Sequence, residues 1–117
     1  MAKDLEMGYL LDFYGEVLTE KQREYFDLHY NEDLSLAEIA QSEGVSRQSV
    51  WDIIRRAEET MRRFEEKTGL VARFAAERDI LAAVQEKLAR LETMTDGAAQ
   101  SLAREIAAAL QELGHGI

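Results

Sequence analysis

The chain has 117 residues, 46% apolar and 32% charged, with a net charge of −9 and neither cysteine nor proline. That is one domain, or a compact domain with a helical arm, with apolar side chains enough for a core, which excludes a disordered chain. It excludes disulfides, thiol nucleophiles and cysteine-ligated zinc. No run of about 20 apolar residues suggests a membrane span, and MAKDLEMGYLLDFYGEV has too many carboxylates to read as a signal peptide, so a cytoplasmic location is expected.

The first predicted helix covers residues 4–14, with Leu5, Tyr9, Leu10 and Phe13 at helical spacing and Gly15 to stop it. Gly8 inside it costs about 1 kcal/mol against alanine, which suggests close packing there. The second helix opens at Thr19, where Gln22 three residues on completes a capping box. Tyr25, Phe26, Leu28 and Tyr30 are its apolar residues, and Asn31, Glu32 and Asp33 form a polar break. The third helix starts at Ser35, with Glu38 as the second capping box, and ends near Ser42. Gly44 and Val45 then form a turn. The fourth starts with Ser46 as N-cap and runs to about Lys67. Val50, Ile53, Ile54, Ala57, Met61 and Phe64 give it one buried face, and Gly69 ends it. On its outer side, Arg62, Arg63, Glu65 and Glu66 read as a solvated face.

After residue 70 alanine and leucine dominate. Leu70, Phe74, Leu81, Val84, Leu88 and Leu91 make one apolar stripe, interrupted by Glu77. After a break near Asp96 and Gly97, Leu102, Ile106, Ala109 and Leu113 resume it. Neither helix can bury such a stripe alone, so this arm packs either on a second subunit or back on the first domain.

The informative string is SLAEIAQSEGVSRQSVWDIIRRA, residues 35–57. Two helices crossing steeply need a small residue where they touch, which Ala40 supplies, and a turn with positive φ, which Gly44 allows. Val45, Val50 and Ile53 are expected to face inward. Burying each is worth roughly 1.5–3 kcal/mol, enough to fix the presentation of the second helix. This is the pattern of a helix-turn-helix. Its outward positions are Ser46, Arg47, Gln48, Trp51, Asp52 and Arg55. Arginine and glutamine read guanine and adenine edges, a serine hydroxyl suits phosphate, and tryptophan can stack on an unpaired base. The candidate nucleic-acid-binding residues are therefore Ser46, Arg47, Gln48, Trp51 and Arg55.

Charge limits the area of such a face. Residues 1–34 carry three basic and nine acidic side chains, residues 35–67 six and seven, and residues 68–117 five and seven. The acid is concentrated in the first two helices, and any phosphate-binding surface must be small and local.

From Tyr9 to Phe74 the chain resembles the YlxM family of helix-turn-helix proteins, bacterial relatives of sigma-factor region 4. The strings that carry the resemblance are YLLDFYGEVLTEKQREYFDLHY, DLSLAEIA and VSRQSVWDIIRRAEE. It departs in Trp51, where many members have tyrosine, and in Glu24, Asp27 and His29, where region 4 is more basic. The resemblance implies an all-α protein: a sigma-region-4-like helix-turn-helix domain in residues 1–69 and a helical C-terminal arm in residues 70–117, expected to form a homodimer. It also implies a regulatory part in protein targeting, because the family's genes usually neighbour that of the signal recognition particle GTPase. The ligand would be DNA or the particle's RNA. The alternative is an adaptor that docks on the GTPase through the acidic first helices, without binding DNA.

Nothing points to catalysis. His29 and His115 lack ligand companions at helical spacing, and His29 reads as a partly buried helix residue. Gly114 and Gly116 are not a phosphate loop. No enzyme activity, cofactor or metal is expected.

Overall fold

The structure, a computed structural model, describes residues 3–115. Its helices are α1 (Lys3–Tyr14), α2 (Glu20–Tyr30), α3 (Leu36–Glu43), α4 (Arg47–Thr68), α5 (Leu70–Met94) and α6 (Gly97–His115), with one 3₁₀ turn, Gly15–Val17, after α1. Every described element is helical, as an all-α chain requires. The chain forms two compact units, Met1–Val71 and Ala72–Ile117.

The helix starts are set by side chains within reach of their own backbone. Thr19 Oγ1 accepts from Gln22 N–H at 3.2 Å, and Gln22 Oε1 accepts from Thr19 N–H at 3.0 Å. Ser35 and Glu38 repeat this box at the head of α3, both bonds 3.0 Å. The α3–α4 turn places Gly44 at φ 69°, which costs a residue with a Cβ but not glycine. The Val45 N–H then donates to Ala40 O at 3.1 Å, satisfying a carbonyl at the end of α3.

In the first unit α2 and α4 form the centre. Tyr25, Phe26, Ile39, Val50, Ile54 and Met61 are fully buried, with Met7 and Leu10 from α1. The sequence pattern placed this core correctly on α2 and misplaced parts of it elsewhere. On α1 the buried line is Met7, Leu10 and Tyr14, an equally good helical spacing, while Leu5 and Phe13 are exposed. On α4 the line is Val50, Ile54, Ala57 and Met61; Ile53 lies at its flank, and Val45 and Phe64 are exposed. The close packing expected at Gly8 is absent: a Cβ there would meet only Asn31 Oδ1, at an ordinary 3.6 Å.

Two contacts tie α1 to α4 across more than fifty residues. Arg62 donates to Glu58 at 2.8 Å and to Glu6 at 2.9 Å, and the Glu58 hydrogen bond raises its pKa. The Tyr14 hydroxyl donates to Glu65 and meets the Thr68 hydroxyl, and Glu65 also accepts the Val71 N–H at 2.9 Å. Burial, and then the Glu65 carboxylate, push the Tyr14 hydroxyl above its ordinary pKa. Arg62 and Glu65 are therefore tertiary links and not part of a plain solvated face. His29, half-buried as expected, pairs Nδ1 with Leu34 O at 2.8 Å.

In the second unit α5 and α6 form an antiparallel hairpin. Gln100 Nε2 donates to Glu92 O and Arg104 to the Glu92 carboxylate, both at 3.0 Å, while Leu81 lies beside Gly114 at the other end. The faces that meet centre on Leu88 and Ala103. The expected α6 stripe is displaced by one residue. Gln100, Ala103, Ala107 and Leu110 form the covered line, and Leu102, Ile106, Ala109 and Leu113 are exposed, as are Leu70, Val84 and Leu91 on α5.

Candidate nucleic-acid interface

The helix-turn-helix consists of α3, the Gly44–Val45 turn and the first turns of α4. Ser46 caps α4: its Oγ accepts from Ser49 N–H at 3.1 Å and donates to Ser49 Oγ at 2.9 Å. That use engages the hydroxyl proton, so Ser46 offers a ligand only a remaining lone pair unless the Ser49 bond breaks. Its position still aims the N-terminal end of a 22-residue helix outward.

Arg47, Gln48 and Trp51 stand together along a groove of about 900 Å³, whose other wall is Ser35, Leu36 and Ala37 at the head of α3. Trp51 is 40% exposed, so one side of the indole lies on the groove while part of the ring remains in solvent. Arg47 is exposed and, among the described residues, makes no ion pair. The Gln48 amide donates to Asp52 Oδ1 at 3.1 Å, which holds the side chain along the helix with one N–H still available. Arg55 is paired with Glu59 one turn on, and like Ser46 it does not line the groove.

Three of the five expected residues thus converge on one groove, one caps the helix beneath it, and one is held in an exposed ion pair beyond it. The sequence reading missed the opposite wall. Leu36 and Ala37 give the groove an apolar side facing Trp51. The available signal was the Ser35–Glu38 capping box, which fixes where α3 begins and so which residues its first turn presents. Glu38 contributes charge as well: the Ser35 backbone N–H, and then its hydroxyl, hold the carboxyl below the usual carboxylate range. With Asp52 and Glu59 nearby in sequence, the cations available to phosphate are few.

Among the described residues no three His, Asp or Glu side chains are placed to hold a metal ion, and no helix is long and apolar enough to cross a membrane.

The capped helix, glycine turn and outward arginine, glutamine and tryptophan define a helix-turn-helix protein. The chain belongs to the family described as "Putative helix-turn-helix protein, YlxM / p13 like", whose model matches residues 1–100. It is 48% identical to a UPF0122 protein of Halalkalibacterium halodurans over 86 residues, 74% of this chain and 79% of the relative. A UPF0122 protein of Shouchella clausii is 47% identical over 89 residues (76% and 82%), and one of Geobacillus kaustophilus 43% over 90 (77% and 82%). The family is described by its helix-turn-helix and not by a reaction.

Proposed function

We propose that this protein is a cytoplasmic, regulatory nucleic-acid-binding protein that acts in, or on the expression of, the signal recognition particle pathway, and that it works as a homodimer. The observation that carries the binding reading is the groove where Arg47, Gln48 and Trp51 stand exposed around the N-terminal end of α4. An unpaired guanidinium, an amide with a free N–H and an open indole can engage phosphate, base edge and base face in turn. Arg55 joins them if its exposed pair with Glu59 opens, which costs little because such pairs are worth about 0–1 kcal/mol. The link to protein targeting rests on family membership alone. Dimerisation is supported by the apolar side chains that α5 and α6 leave uncovered, Ile80, Val84, Leu102 and Ile106 among them. Light scattering at micromolar concentration should then give about twice 13.3 kDa.

Trp51→Ala separates the ligands. It should weaken binding to the unpaired regions of the particle's RNA by about 1–3 kcal/mol through lost stacking, with a smaller effect on duplex DNA. Equal losses on both would remove the stacking role.

One observation favours a second reading, a docking adaptor. Glu20, Glu24, Glu32 and Asp33 are exposed on and just after α2, a surface suited to a basic partner such as the particle's GTPase. A pull-down with the purified GTPase, lost on Glu20→Gln/Glu24→Gln and kept on Trp51→Ala, would select it.

A further inference from the structure

The longest described run of unpaired cations in this acidic chain lies away from the groove, on the later turns of α4. Arg56, Thr60, Arg63 and Lys67 follow one another at steps of four, three and four residues, which places them on one line of the helix. The three cations are exposed, and none makes an ion pair among the described residues. The reason is visible one turn earlier. Asp52 and Glu59, each four residues before Arg56 and Arg63, are engaged by Gln48 and Arg55 instead. The other arginine of these turns, Arg62, is held by Glu58 and Glu6. Asp52 and Glu59 are thus drawn to the adjoining face, and Glu66, three residues after Arg63, remains as an exposed carboxylate beside the stripe. Thr60, Arg63, Phe64 and Lys67 line a shallow hollow of about 280 Å³, and Phe64, stacked on Tyr14 with ring centroids 6.1 Å apart, forms its firm side.

The geometry points to this stripe as a second docking surface, for the sugar-phosphate backbone of the nucleic acid held at the groove, met on a face roughly 130° around α4 from Arg47, Gln48 and Trp51. Charge complementarity selects the occupant: three unpaired cations with a hydroxyl between them and no reading amide. From Arg56 to Lys67 the helix rises about 16 Å, the axial length of about five nucleotides of one strand. The inference rests on the nucleic-acid reading proposed above, and a probe without bases separates the two.

The test is fluorescence anisotropy of a labelled strand of abasic deoxyribose phosphates, titrated with the full chain across a range of salt. Wild type should bind with a negative log–log salt slope. Arg56→Gln/Arg63→Gln/Lys67→Gln should flatten that slope by about 2, and Lys67→Gln alone by about a third of that. Trp51→Ala should leave it unchanged, because there is no base to stack on. Circular dichroism checks that the variants keep their helices, as exposed positions should. An unchanged slope in the triple variant overturns the stripe. If Arg47→Ala still weakens binding to a base-bearing duplex in that case, the groove reading survives without it. No binding of any nucleic-acid probe by wild type overturns both. A triple variant that matches wild type on nucleic acid and loses only self-association would give the surface to the acidic α2 of a second copy, again against the proposal.

Discussion

The two compact units put their apolar side chains to different use. In the first, α2 and α4 are enclosed by α1 and α3, and eight large side chains reach full burial. In the second, α5 and α6 cover each other along one line. Leu88 and Ala103 are buried, while Ile80 is 64% and Met94 76% exposed. A helix pair can cover one line on each partner, and a wider apolar stripe remains in water until a third layer arrives. Burial is therefore a property of the neighbours a helix has and not of its own periodicity. The first unit encloses a core, and the second leaves much of its apolar stripe exposed.

The largest effect that could break this contrast is a core truncation. Ile54→Ala should cost about 2–5 kcal/mol and lower the melting temperature of the first unit by about 8 °C or more, at roughly 4–8 °C per kcal/mol. Ile106→Ala should leave that transition within about 0.5 kcal/mol and show itself only in the mass measured by light scattering. Equal effects on melting would mean that the units do not differ as described.

Gly44→Val tests the turn that sets the angle between α3 and α4. Forcing a β-branched residue to φ 69° should cost about 1–3 kcal/mol, read as a drop of several degrees. The space around the added Cβ is open, so the cost is conformational and not a clash.

Ser35→Ala should cost about 0.5–2 kcal/mol by uncapping α3. It also has a pH signature. The folded Glu38 carboxyl titrates below its ordinary value near 4.5. Its contribution is therefore present above that value and lost as pH falls through the folded one. Wild type should lose this increment in acid, and Ser35→Ala, which removes the hydroxyl's share, should show a shallower loss there. At the small end, Gly8→Ala should raise stability by up to about 1 kcal/mol, since the new methyl meets nothing closer than Asn31. Destabilisation by it would restore the close packing that the sequence suggested.

What could be read from the sequence follows the distance over which it is decided. The capping boxes at Thr19 and Ser35, the Ser46 cap and the glycine at 44 are contacts within four residues, and each was legible as a short string. The line Val50–Ala57–Met61 was legible too, because α4 is long and strongly two-sided. The buried side of α1 was not: Leu5–Phe13 and Met7–Tyr14 are equally periodic, and the choice is made by α2 and α4. The Glu65–Tyr14 and Arg62–Glu6 links join residues more than fifty apart and leave no local trace. At the candidate site the α4 side was legible from residue chemistry, whereas Leu36 and Ala37 enter the groove only because α3 is folded against it.

The central claim is that the α4 end of the first unit binds nucleic acid, and salt-dependent affinity tests it most directly. Duplex DNA and the signal recognition particle RNA would each be titrated with wild type and Arg47→Ala, from about 50 to 200 mM salt. Wild type should bind at least one of them, with affinity falling linearly on the log–log plot. Arg47→Ala should flatten that slope by up to about 0.9 if the guanidinium meets phosphate, or cost about 1–3 kcal/mol of base discrimination if it meets a guanine edge. Wild type that binds neither nucleic acid even at the lowest salt would contradict the account and leave docking through α2 as the function of the fold.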